Sequence, residues 1–291
     1  MDMGQITAEL DKKLLAAVEQ MPAFPRSVQR ILELTRDLAC SPKELVQVIE
    51  TDPVMTIKVL KVINSSYYSF PKKITSVSQC VVYLGFNTVK NLALGIAAIG
   101  ILPKHNGADF DVEQYLLHSL STASLAKLLC GRVGHAGLEP MDCYIAGLLH
   151  DFGKVVFAQF MPEEFSAALA LSRQENIPLH LAEQRMIGAD HTVVGSMLAE
   201  HWQFAQPLVQ CIRHHHSTNV DTGVMHACLF LANQISKQMR YGDSGNACIE
   251  TPSAEQLRYF GATSLEEVIP SESEMEKVLL EAKTFAQLEN A

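Results

Sequence analysis

Residues 145–157 read IAGLLHDFGKVVF. Ile145, Leu148 and Leu149 precede the centre of this run, and Val155, Val156 and Phe157 follow it. The centre is His150-Asp151. Charged side chains are almost never fully buried unless they are paired or bound to a metal. The pair is therefore either part of a metal site or a satisfied polar pair inside a core.

Outward from this run the pattern is helical in both directions. Upstream, Leu10, Leu14 and Val18 recur four residues apart and give one helical stripe. Val28, Ile31, Leu32 and Leu38 fall near one face of the next helix. Ser41-Pro42-Lys43-Glu44 combines an N-cap, a proline at the first helical position and a capping-box glutamate. Asp52-Pro53 repeats the cap and the proline. NSSYYSFPKKIT, residues 64–75, reads as a loop whose aromatics pack on the core of the domain. Ser76 and Gln79 form another capping pattern. Gly85 is expected to end that helix, and Asn87 to cap the apolar helix after it.

PKHNGADFD, residues 103–111, breaks the periodicity and is the best internal boundary. Helical segments then run from about Val112 to about Met239, including CYIAGLLHDFGKVVFAQF as one run. RYGDSGNACIETPS interrupts them, and two further helices are expected around 254–260 and 273–287. No region alternates with period two for long enough to need a sheet. The expected fold class is all-α, with two packed helical lobes.

The 291-residue chain is 48% hydrophobic and 19% charged, ordinary for a globular protein with a substantial core. Its formal net charge of −9 argues against nucleic-acid binding. The start is too polar for a secretory signal, and the apolar run at 92–102 is too short to span a bilayer. Seven cysteines without a CxxC pair suggest reduced thiols and a cytoplasmic location.

Several polar residues are embedded in these apolar helices: His118, His150, Asp151, His191, the triplet His214-His215-His216, and Asn233. Imidazole and carboxylate together suit a divalent transition metal such as Mn, Fe, Ni or Zn. Such a metal can acidify a bound water and neutralise a phosphate, the basis of phosphoester hydrolysis. The alternative is a buried hydrogen-bonded network.

GLLHDFGK resembles the signature of the HD metal-dependent phosphohydrolase superfamily. MPAFPRSVQRILEL, VIETDPVMTIKVLKVINSSYY, KKITSVSQCVVYLG and GADHTVVGSMLAEHWQFAQPLVQCIRHHH are together similar to an HDOD domain, the HD-related output domain of bacterial signalling proteins. The resemblance runs from about residue 21 to about 237. It implies an N-terminal lobe over 1–105, an HD-like lobe over 106–240 and a C-terminal extension over 241–291. It also implies metal ligands at His118, His150 and Asp151, with Asn233 where the superfamily carries an aspartate. His191 and one or two of His214 and His215 match the extra ligands of the two-metal subgroup that hydrolyses cyclic di-GMP. HHHSTNVDTG lacks that subgroup's Gly-Tyr-Pro continuation. Catalytic roles, if the chain is active, would fall to Asp151 and Lys154.

The resemblance thus implies a regulatory interaction module with weak or no catalysis, the alternative being a phosphohydrolase of a nucleotide or another phosphoester. The implied partner is a signalling protein or a small phosphorylated ligand. No nucleic acid or membrane is expected, and a homodimer is compatible with this reading.

Overall fold

Helix starts follow the capping chemistry of the sequence. The computed structural model describes residues 8–34, 41–134, 137–218 and 223–287; the expected core position Leu38 lies outside these. The first lobe comprises α1 (Ala8–Gln20), α2 (Arg26–Leu34), α3 (Pro42–Glu50), α4 (Pro53–Ile63), α5 (Val77–Leu84) and α6 (Phe86–Gly100). Ser41 and Glu44 close the capping box of α3 reciprocally. Asp52 caps α4 by accepting from the Met55 amide at 3.0 Å. It also accepts from Ser27 Oγ at 2.7 Å, which ties α2 to α4. The expected cap at Asn87 is corrected. Gly85, at φ 82°, both closes α5 and opens α6, so Asn87 lies inside the first turn and no side chain caps α6. One residue is enough for the reversal, which leaves no room for a separate cap.

The second lobe comprises α7 (Val112–Val133), α8 (Pro140–Leu149), α9 (Phe152–Phe160), α10 (Pro162–Glu175), α11 (Leu179–Met186), α12 (His191–His201), α13 (Gln206–His214) and α14 (Gly223–Met239). The chain ends with α15 (Ala254–Arg258) and α16 (Glu272–Ala286). The fold is all-α, with no strand among the described residues. None of the described helices is long and apolar enough to cross a membrane.

Helix α7 is the central post, packed against α8, α14 and α16. α9 lies on α12, and α12 on α13. The lobes meet where α6 packs on α8 and α1 on α12. One apolar cluster runs through both lobes, from Leu14, Ile31 and Ile49 through Leu92 to Phe157 and Leu198. A second cluster, including Leu125, Leu129, Leu231 and Val278, joins α7 and α14 to the C-terminal helices. Tyr68 and Phe70 pack half-buried on the main core. Tyr67 accepts a hydrogen bond from Lys127 on α7.

Candidate metal centre

The expected single helical run through residues 143–160 is broken at one place. α8 ends at Leu149, α9 begins at Phe152, and His150-Asp151 forms the junction. Adjacent side chains on a continuous helix diverge by about 100°. The break removes that obstacle and brings His150 Nε2 to 3.2 Å from Asp151 Oδ2. Immediately beyond, Gly153 lets α9 touch α12. A Cβ at Gly153 would lie 2.0 Å from the His191 carbonyl oxygen. This contact sets His191 Nε2 at 3.1 Å from Asp151 Oδ1.

The imidazoles share one design. His150 Nδ1 donates to the Gly147 carbonyl and His215 Nδ1 to the Ile212 carbonyl, each at 2.7 Å. His191 Nδ1 donates to Glu183 Oε2 at 2.6 Å, and the same oxygen accepts the His191 amide at 2.8 Å. His216 Nδ1 donates to Glu250 Oε2 at 2.8 Å. A histidine whose Nδ1 is engaged this way presents Nε2 as a ligand atom, and a carboxylate partner raises its basicity. His215 Nε2 lies 3.6 Å and His118 Nε2 3.8 Å from the Asp151 carboxylate. Donor atoms of His118, His150 and Asp151 form one group within 4.8 Å, and those of Asp151, His191, His215 and His216 form another. Asp151 belongs to both.

The donor set fits a divalent metal. His118 Nε2, His150 Nε2, Asp151 Oδ1 and Asn233 Oδ1 are buried and make no hydrogen bond among the described residues. Buried polar atoms without partners are uncommon and call for an explanation. Convergent orphaned nitrogens around a carboxylate match an imidazole–carboxylate metal site.

Lys154 is not an exposed helix end. It is fully buried, and Nζ donates to Asp151 Oδ2 at 2.7 Å and to Ser244 Oγ at 3.1 Å. Asn233 sits on α14 one turn before Ser236, whose hydroxyl lies 3.4 Å from His118 Nδ1. His214 stands apart from the converging donors. It ends α13 only half-buried, and its carbonyl accepts from His226 Nε2. The ring nitrogens of His214 join neither donor group. His216 enters the cluster instead, 3.1 Å from His191 Nε2. Glu183, His180, Lys237, Ser244 and Glu250 also meet the cluster without having been singled out. His180 stacks on His216, and Lys237 Nζ lies 3.4 Å from Glu250.

Electrostatics divide the imidazoles. Burial pushes His118 and His216 well below the ordinary value and His215 down to about 3. Burial pulls hardest on His191, but the charge of Glu183 and the hydrogen bonds to Asp151 and Glu183 together outweigh it and hold this imidazole up at about 9. Burial alone would raise the Asp151 carboxyl; His150 and Lys154 hold it well below the carboxylate range.

The sign of the pH dependence in metal-free protein follows. Unfolded histidines titrate near 6.5. Stability from the depressed histidines is present above that value and lost as pH falls through it, at about 1.4 kcal/mol per pH unit for each. Stability from His191 is present below about 6.5 and is lost as pH rises through its folded value. Urea midpoints measured across pH should therefore peak near neutrality and fall more steeply on the acid side. A midpoint that is flat between pH 5 and 7, a range set by the ordinary histidine value, would contradict this assignment.

Comparison with known proteins gives a consistent result. The HDOD domain family model matches residues 21–218. An uncharacterized protein of Treponema pallidum (strain Nichols) is 26% identical over 211 residues, covering 72% of this chain and 40% of that protein. The chain spans about two fifths of the length of the curated relatives it matches. A crystal structure of an HDOD domain protein of unknown function from Geobacter sulfurreducens aligns with a TM-score of 0.73 at 26% identity, covering 97% of this chain and 96% of that one. A candidate signal transduction protein from Marinobacter aquaeolei VT8 aligns with a TM-score of 0.75 at 23% identity, over 100% of this chain and 69% of that one, and shows the fold alone.

Proposed function

Since this chain belongs to the HDOD domain family, we propose that it is a regulatory module of bacterial signal transduction, built around a divalent metal and with weak or no catalysis. The observation that carries this reading is closure. The side chains of His118, His150, Asp151, Lys154, His191 and His215 are at most 1% exposed. Lys154 occupies Asp151 Oδ2, where a phosphoester would compete for the same charge. Asn233 adds a neutral carbonyl where an aspartate would add a charge, which weakens a hard cation's hold and its polarising power.

His118, His150 and Asp151 would hold one metal, with Asn233 beside them. Asp151, His191, His215 and His216 would hold a second. Such a metal would neutralise Asp151 and could activate water at an open position. The lobe over 1–105 would meet the partner, the lobe over 106–240 would hold the metal, and 241–291 would close over it. A protein partner is supported by exposed Val54 and Ile57 on α4, by exposed Val82 and Tyr83 on α5, and by a groove of about 600 Å³ lined by Val46, Val81 and Val82.

A metal-dependent phosphohydrolase is the second reading, favoured by the orphaned donors themselves. Mass-spectrometric metal analysis, paired with a bis(nitrophenyl) phosphate assay, separates the two. The regulatory reading expects bound metal that falls by at least half in both His150→Ala and His215→Gln, with no hydrolysis above blank. Metal-dependent hydrolysis lost in both variants would instead establish the enzyme. Wild-type protein purified under metal-replete conditions without metal would overturn both metal-centred readings.

A further inference from the structure

The second apolar cluster contains three thiols brought together from three helices. Cys130 lies on α7, Cys143 on α8 and Cys228 on α14, and each is at most 1% exposed. Their sulfur atoms all lie within 4.8 Å of one another. The cluster that holds them is apolar, with aliphatic Leu125, Leu129 and Leu231 among its members. We propose that Cys130, Cys143 and Cys228 form a three-coordinate site for a soft monovalent cation, copper(I).

Thiolate sulfur selects soft metals such as copper(I), zinc and iron–sulfur clusters. Metal–sulfur bonds of about 2.3 Å arranged in a plane place the three sulfurs about 4 Å apart, so small side-chain adjustments suffice. Structural zinc requires a fourth ligand, and the aliphatic neighbours named above have no donor to give. Thiolate is the ligand form of cysteine, so binding releases the thiol protons to solvent and changes no oxidation state. Hydrogen bonds among the thiols, with burial, raise the Cys143 and Cys228 thiols above their ordinary value, so they are poor redox nucleophiles and affinity should increase with pH.

The site would not be isolated from the imidazole cluster. α7 carries both Cys130 and His118, α8 carries Cys143 and leads directly into His150, and α14 carries both Cys228 and Asn233. A cation at the thiols would clamp the same three helices at a second level. The proposal stands whether or not the imidazole cluster binds metal.

The test is an anaerobic titration of the full chain with copper(I) in the presence of a competing chelator. The readouts are the thiolate-to-copper absorption band and the melting temperature. One copper(I) per chain is expected in wild type, in Cys248→Ser and in His150→Ala, with the melting temperature raised in each. Cys143→Ala and Cys228→Ala should each lose the band and the thermal shift. Wild type without the band, or either of these two cysteine variants retaining it in full, overturns the proposal. If those variants do not fold, wild type alone decides: a melting temperature unmoved by one equivalent of copper(I), or moved equally by zinc through thiol coordination, overturns it as well.

Discussion

Asp151→Asn should destabilise the protein by about 3–5 kcal/mol and abolish metal retention, because it leaves a buried ammonium without its counter-charge. Lys154 is fully buried, and its Nζ meets Asp151 Oδ2 at 2.7 Å. Among the described residues its other hydrogen bond goes to Ser244 Oγ, which carries no charge. Removing one member of a buried ion pair costs far more than the pair itself contributes. Replacing both members should therefore recover much of the loss. Asp151→Asn/Lys154→Met is expected to regain more than half of the stability in chemical denaturation while still failing to hold metal. A double variant no more stable than Asp151→Asn alone would show that the penalty comes from the four imidazoles around the carboxylate.

Gly153→Ala is expected to have a comparable effect by another route. The added methyl would meet the His191 carbonyl oxygen at 2.0 Å and the Gly195 amide at 2.9 Å. These are backbone atoms, so no rotamer change relieves the clash and α9 must move away from α12. Overpacking a core typically costs about 1–3 kcal/mol, and a helix–helix contact with no side-chain give belongs at or above the upper end. The same displacement separates Asp151 from His191, so metal content should fall with stability. Gly195→Ala supplies the contrast. Its nearest neighbours would be 3.3–3.4 Å away, including a methyl of Ile212 that can shift, and the expected cost is about 1 kcal/mol. Equal losses in the two variants would remove the special role assigned to the Gly153 contact.

The all-α class was legible because capping chemistry is local. Ser41 with Glu44, and Asp52 with the Met55 amide, complete their contacts within three residues. The adjacent His150 and Asp151 were legible as an anomaly of charge in an apolar run. Their mutual geometry was not, because it depends on a two-residue break between α8 and α9 that the helical pattern conceals. In the His triplet, helical phase carries the signal. Leu208, Cys211 and Ile212 are buried, and the same stripe continues to His215 and passes over His214. Glu183 and Glu250 had no local signal. Glu183 reaches His191 across the turn between α11 and α12, and Glu250 reaches His216 from an irregular segment thirty-four residues later. Contacts of that kind are fixed by the packing of whole helices.

The irregular segment after α14 carries a consequence for how this domain can be reused. Asp243 donates its amide to Gln114 on α7, Ser244 reaches Lys154, and Glu250 reaches both His216 and Lys237. All of these closing residues lie beyond residue 218, where the family match stops. The stretch that the family model matches supplies the histidines and Asp151; the residues that cover them come after it. Relatives that share the HD pair but continue into different sequence would therefore inherit the same ligands under a different roof. Their tightness toward metal and their openness to substrate could diverge without a single change in the signature that groups them.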